Sequence, residues 1–241
     1  MTTSGLPGAR LRRFYKEAKV GEAGGGYVVR LDGRELRTPG GAALVMAQRR
    51  LAEALAEEWQ AQDEEIRPQA MPLMQLASTA IDRVAPRQPE VVEELAGYAT
   101  TDLVCYRVDH PEELARRQQR LWQPLVDWAT LHYDAPLSIT TGILPQPQPE
   151  GALAALRTVV SRLDPLTLTA LHAAVTASGS LVLGLALLEE RITAAEAWEA
   201  AQLEEGWQSE QWGEDEEAAR RRAGLRADLE AAVRFMRLLR G

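Results

Sequence analysis

The chain has 241 residues, a net charge of −8, 46% hydrophobic and 26% charged residues, the balance of an ordinary globular protein with enough length for a sizeable core. Its acidic field disfavours phosphate backbones and anionic membranes, so neither nucleic acid binding nor membrane insertion is expected. One cysteine, Cys105, excludes an intrachain disulfide and a multi-cysteine zinc site, and fits a reducing compartment.

The opening "MTTSGLPGARLRRFYK" carries three arginines but no apolar run suited to a secretory signal, and reads as a loose terminus. "RFYKEAKV" is a predicted strand, with Gly24 to Gly26 as the loop after it. Asp32-Gly33 marks a two-residue hairpin, because both central residues of a type I′ turn need positive φ. That turn pairs Leu31 with Arg34, Arg30 with Glu35 and Val29 with Leu36. Leu31, Val29 and Leu36 then share an apolar face, and Arg30 meets Glu35 on the other.

Leu51, Leu55 and Trp59 recur every fourth residue, which predicts a helix over about 47–62 that packs on the strands. Pro68 disfavours helix at Arg67, and Pro72 suits the first turn of a new helix bearing Leu73, Leu76, Ala80 and Ile81. Pro89 precedes the helical run "EVVEELAGYATTDLVCYR". Asp109 with Glu112 has capping-box spacing ahead of "LARRQQRLWQPLVDWATLHY", within which Pro124 predicts a kink or break. The proline-rich "DAPLSITTGILPQPQPEG" is a connector whose Ile139-Thr140-Thr141 suits a short strand.

Asp164-Pro165 and Thr193 with Glu196 start two further helices. "SLVLGLALLEERIT" has an apolar run too short to span a bilayer and reads as a buried helix. Leu225, Leu229, Val233 and Met236 form one stripe on the last helix. The expected fold class is α+β: a small β-rich, hairpin-containing N-terminal domain over 1–70, then a larger all-helical domain over 71–241.

Motifs for catalysis are absent. There is no phosphate loop, no dinucleotide fingerprint, no H-E-x-x-H and no G-x-S-x-G. His110, His132 and His172 stand apart from carboxylate or cysteine at ligand spacing, and Cys105 sits on an apolar stretch. Structural roles are expected for all four. Adjacent acids such as Glu57/Glu58 and Glu64/Glu65 point in different directions on a helix and read as solvated faces. Arginine clusters at 116–120 and 220–222 are matched to nearby acids, Glu216 with Arg220 for example. Neither an enzyme nor a cofactor or metal is expected.

"LEEGWQSEQWGEDEEAARRR", residues 203–222, places two indoles among acids. On one continuous helix over 194–222, Trp212 lies near Trp198 around the axis and Trp207 nearly opposite, at about 100° per residue. Glu205, Gln208, Trp212 and Glu216 then share a narrow stripe. Gly206 and Gly213 each weaken such a helix by about 1 kcal/mol relative to alanine. Two readings stay open: an amphipathic helix with both indoles partly covered, or an interaction surface in which an indole supplies apolar area and acids select a basic partner. Which tryptophan is the core anchor is equally open.

"RFYK", "VRLDGRELRTP", "EEWQAQDEEIRPQAMPLMQLASTAID", "TDLVCYR", "LWQPLVDWA" and "LEEGWQSEQWGEDEE", in that order, resemble the assembly chaperones that act on the alpha subunit of the F-type ATP synthase. The resemblance covers about residues 13–220. It implies a non-enzymatic protein that binds unassembled alpha subunit transiently and masks its aggregation-prone interface until beta pairs with it. The family pattern of acid, glutamine, tryptophan-glycine and acid falls on Glu204 or Glu205, Gln208, Trp212-Gly213 and Glu216, which are the expected client-binding residues. Trp207 stands where the pattern has another aromatic, usually tyrosine. Trp59, Pro68, Met71 and Pro72 map to a central region read as fold determinants at the domain junction. A monomer is expected, in the bacterial cytoplasm, or in the mitochondrial matrix if the source is eukaryotic. The alternatives are a constitutive helical subunit of a larger complex and, less favoured, a small-molecule enzyme.

Overall fold

A computed structural model describes residues 11–141, 146–213 and 215–240. The reading of the first ten residues as a loose terminus lies outside the described residues, as do residues 142–145 of the proline-rich connector. Three antiparallel strands come first: β1 (Ala18–Ala23), β2 (Gly26–Leu31) and β3 (Arg34–Glu35). The Asp32-Gly33 turn has φ of 46° and 84°, and it pairs Leu31 with Arg34 and Arg30 with Glu35 in the expected register. Leu36 N–H donates to the Val29 carbonyl at 2.8 Å, and Arg30 meets Glu35 at 3.2 Å.

The first strand begins later than "RFYK" suggested, because those residues serve the helix behind the sheet. That helix is α1 (Arg49–Gln60). Arg13 donates to the carbonyls of Gln60 and Gln62, placing its charge at the negative end of the α1 dipole. The Tyr15 hydroxyl donates to the Trp59 carbonyl at 2.6 Å, and the two rings meet edge to face. Leu51, Leu55 and Trp59 are buried against the strands as their spacing predicted.

Pro68–Ala70 is one tight turn, and Pro72 opens α2 (Pro72–Thr79), whose winding widens over Ala80–Val84. Two carboxylates join the sheet unit to the helices beyond. Glu58 on α1, expected on a solvated face, is instead buried and accepts from the Leu73 and Met74 N–H groups at 2.9 and 2.8 Å, where the first turn of α2 has no intrahelical partner. Asp82 accepts from the Thr38 hydroxyl and the Gly40 N–H. Trp59 and Met71 are buried at this joint, in keeping with a structural role. The hydrophobic core runs without interruption from Tyr15 beneath the strands to Met236 near the end of the chain.

The remaining helices are α3 (Gln88–Tyr98), α4 (Glu112–Tyr133), α5 (Glu150–Ser161), α6 (Pro165–Ser178), α7 (Leu181–Leu188), α8 (Ala194–Ala201), α9 (Leu203–Trp212) and α10 (Glu216–Leu239). The helical run expected after Pro89 ends at Tyr98. Short turns follow, then β4 (Tyr106–Arg107), which pairs in parallel with β5 (Thr140–Thr141), the strand expected in the connector. Asp102 lies just beyond that helix, wholly buried; it caps the following turn by accepting from the Val104 N–H and also reaches two distant donors. Its carboxylate accepts from the Ser180 hydroxyl at 2.5 Å and the Val182 N–H at 3.0 Å, at the N-terminus of α7.

The expected cap of α4 fails, and of the kink or break expected at Pro124 the break does not occur. Pro111, not Asp109, holds the N-cap position, and no side chain caps the helix. Pro124 lies inside α4 without ending it; it is exposed, on the side where a freed carbonyl can be hydrated. Asp164 caps α6, and Thr193 with Glu196 forms a full capping box on α8, as expected. The short apolar α7 is buried on all sides. A Cβ at Gly184 would lie 2.5 Å from Val175, so that glycine sets the close approach of α6 and α7. Among the described residues, no helix is long and apolar enough to cross a membrane.

Candidate functional site

The segment 194–222 is three helices, so the single continuous helix is corrected. Gln202, with φ −102° and ψ 14°, separates α8 from α9. Gly213, with φ 83° and ψ 170°, ends α9, a conformation only glycine adopts without strain. Asp215 then caps α10 by accepting from the N–H groups of Glu217 and Ala218, both at 2.9 Å. Sequence propensity placed the weak points at Gly206 and Gly213. The second is a break; the first lies within α9.

Within α9 the two indoles still point about 140° apart, and the packing decides their fates. Trp207 is half-buried against the core, with the Arg117 guanidinium 4.8 Å from its ring centre. Trp212 is 79% exposed, one of the most exposed large apolar side chains among the described residues. Trp207 is therefore the anchor. The expected proximity of Trp212 to Trp198 is overturned: the break at Gln202 brings Trp198 and Trp207 to line one cleft instead.

Polar side chains hold α9 on both flanks. Toward α4, Glu204 accepts from Gln118 Nε2 at 2.6 Å, and Arg117 pairs with Glu210 at 3.0 Å. Gln118 is fully buried, and its Oε1 accepts from the Val108 N–H. Burial raises the Glu204 carboxyl above its ordinary range, partly opposed by the Gln118 bond. Toward α10, Glu205 pairs with Arg221 at 3.0 Å and Gln202 accepts from Arg222 at 3.1 Å. The one fully buried apolar contact of α9 is Leu203.

Of the residues expected to bind a client, Glu205, Gln208 and Trp212 do lie along one stripe of α9. Gln208, Trp212 and Gly213 are exposed, and Glu205 is partly covered. Glu216 is exposed but stands on α10, beyond the turn, facing Arg220 at 3.9 Å. Glu204 lies apart from them, turned inward to Gln118. The pairing of the 116–117 arginines with Glu112 and Glu113 holds, yet Arg117 also reaches Glu210 across the helix interface. No pattern in the sequence marked that second role, or the contact from Gln118, because both join positions roughly ninety residues apart.

Of the groups with catalytic chemistry, Cys105, His132 and His172 take structural parts, and His110 is exposed. Cys105 is buried and its thiol is pushed up to about 12, chiefly by desolvation, which leaves no thiolate for nucleophilic attack near neutrality. His172 meets Glu94 at 3.1 Å, and His132 stacks on Trp128. Among the described residues no three histidine, cysteine or acidic side chains form a metal-sized cluster.

A family model described as "ATP12 chaperone protein" matches residues 12–130. The crystal structure of Atp12 from Paracoccus denitrificans superposes with a TM-score of 0.91 at 46% identity, covering 95% of this chain and 98% of that one. A putative chaperone from Agrobacterium tumefaciens gives a TM-score of 0.90 at 41% identity, over 95% of this chain and 86% of that one. The mitochondrial protein atp12 of Schizosaccharomyces pombe is 25% identical over 228 residues, 90% of this chain and 78% of that protein.

Proposed function

Because this chain belongs to the ATP12 chaperone family of ATP synthase assembly factors, which are not enzymes, we propose that its client is the unassembled alpha subunit of that synthase. The chaperone, acting as a monomer, covers the alpha surface destined for beta and leaves when beta arrives. It works where alpha folds: the bacterial cytoplasm, or the mitochondrial matrix in a eukaryote.

The observation that carries this reading is Trp212, an indole four-fifths exposed at the turn between two charged helices. Tryptophan is enriched among the few residues that dominate interface energies, because one side chain supplies a large apolar area. Gln208 and Glu205 extend the surface along α9, and Gly213 and Glu216 continue it across the turn. Glu204 contributes indirectly, by holding α9 against α4 through Gln118. An unassembled subunit exposes apolar interface that aggregates, and reversible cover by a complementary surface prevents this without bond chemistry. A larger native interface with beta then displaces the chaperone by mass action.

The test is light scattering of alpha subunit diluted from denaturant, with and without an equimolar amount of this protein. Suppressed scattering that returns on adding beta, with alpha passing into the alpha–beta complex, is the expected result. Scattering unchanged at equimolar chaperone overturns the reading.

A further inference from the structure

Behind α9, on the side away from Trp212, a cleft of about 540 Å³ opens between α4, α8, α9 and the first turns of α10. That volume falls within the range of built ligand pockets. Its apolar wall comes from Trp198, Trp207, Leu121 and Leu203, of which the two indoles and Leu121 are only partly covered by the protein's own atoms. Gly206 forms part of the wall, and a Cβ there would meet no heavy atom within 4 Å. The backbone of α9 is therefore bare to the cleft at the point between Leu203 and Trp207.

The charge of the lining runs against that of the chain. Four arginines and three glutamates face the space, in a protein whose net charge is −8. Two of those glutamates, Glu113 and Glu210, are already paired with Arg117, leaving Glu199 as the third. Arg226 pairs outside the lining, with Glu230. Arg120, on the rim, forms no ion pair or hydrogen bond among the described residues. The cleft thus offers an aromatic wall, an open backbone and a lining with one more cation than anions, in which Arg120 and Glu199 are the charges without an ion pair or hydrogen bond among the described residues.

We propose that this cleft is a second docking site, whose occupant is a segment of a partner protein with a large apolar side chain next to a carboxylate. The apolar group lies between Trp198 and Trp207 over Gly206, and the carboxylate pairs with Arg120. An acidic occupant is what charge complementarity selects here, the opposite of the basic partner that acids around Trp212 would favour. The inference rests on the client reading for one point only, the identity of the partner, taken as the alpha subunit.

The experiment uses the full chain and two probes. One is a short synthetic peptide with a central phenylalanine flanked by aspartates, beside a control with lysines in place of the aspartates; binding is followed by indole fluorescence of the Trp212→Phe variant. The other is refolding alpha subunit, followed by scattering. The acidic peptide is expected to bind, the lysine control to bind at least about tenfold more weakly, and both Gly206→Leu and Arg120→Glu to lose about tenfold in affinity. Circular dichroism melts show that each variant stays folded. Equal binding of the two peptides, or full binding by folded Gly206→Leu, overturns the cleft. If both variants still suppress alpha aggregation like the wild type, the cleft proposal falls and the client reading stands. If the wild type fails on alpha yet the peptide results hold, the client reading falls and the cleft stands.

Discussion

Truncating Trp212 separates a binding surface from a core element. An indole side chain carries about 200 Å² of surface, and at 79% exposure about 160 Å² of it is free to be covered by a client. At about 25 cal/mol per Å², covering it is worth about 4 kcal/mol before losses. Ordering of the side chain and imperfect desolvation reduce this, so Trp212→Ala is expected to weaken client binding by about 2 kcal/mol, or about thirtyfold. The area already covered within the fold is about 40 Å², so folding stability falls by no more than about 1 kcal/mol. Scattering titrations give the chaperone concentration that halves alpha aggregation, and urea melts give the stability. A loss of stability above about 2 kcal/mol, or an unshifted titration, refutes the reasoning.

Two further outcomes follow from the buried carboxylate and the helix cap. Burial raises Asp102 to about 6, against an unfolded value of about 3.9, so its contribution to stability is greatest below about pH 4 and is lost as pH rises through about 6. The stability of Asp102→Asn relative to wild type should therefore climb by up to about 3 kcal/mol between those limits, on top of a pH-independent offset from the amide, and a flat difference across that window contradicts the assignment. Thr193→Ala removes the capping box of α8 and should lower stability by about 1 kcal/mol in thermal or urea melts. Its alpha suppression should stay unchanged, because Thr193 lies outside both proposed docking surfaces.

Much of the local structure was legible because its cause is local. The Asp32-Gly33 turn needs two positive φ values, and that requirement alone fixes the register of β2 and β3. The caps at Asp164 and Thr193 satisfy N–H groups two or three residues on. Leu51, Leu55 and Trp59 follow from helical period. Asp109 misled because cap spacing was present while Pro111 held the position. "RFYK" misled because Tyr15 buries against α1 and Phe14 stays exposed, neither of them joining the sheet.

For the candidate site, residue order determined the chemistry and tertiary packing determined the geometry. The composition of 203–222, two indoles among acids, already pointed to a helix with something to cover or to offer. It could not say which indole is offered, since periodicity gives the angle between two side chains but not the direction of the core. That direction came from α4, whose Arg117 and Gln118 clasp one side of α9, and from α10, whose Arg221 and Arg222 hold the other. The same holds for the bonds from Ser180 and Val182 to Asp102, which span about eighty residues. Contacts of that separation depend on how whole helices pack, which no short stretch of sequence encodes.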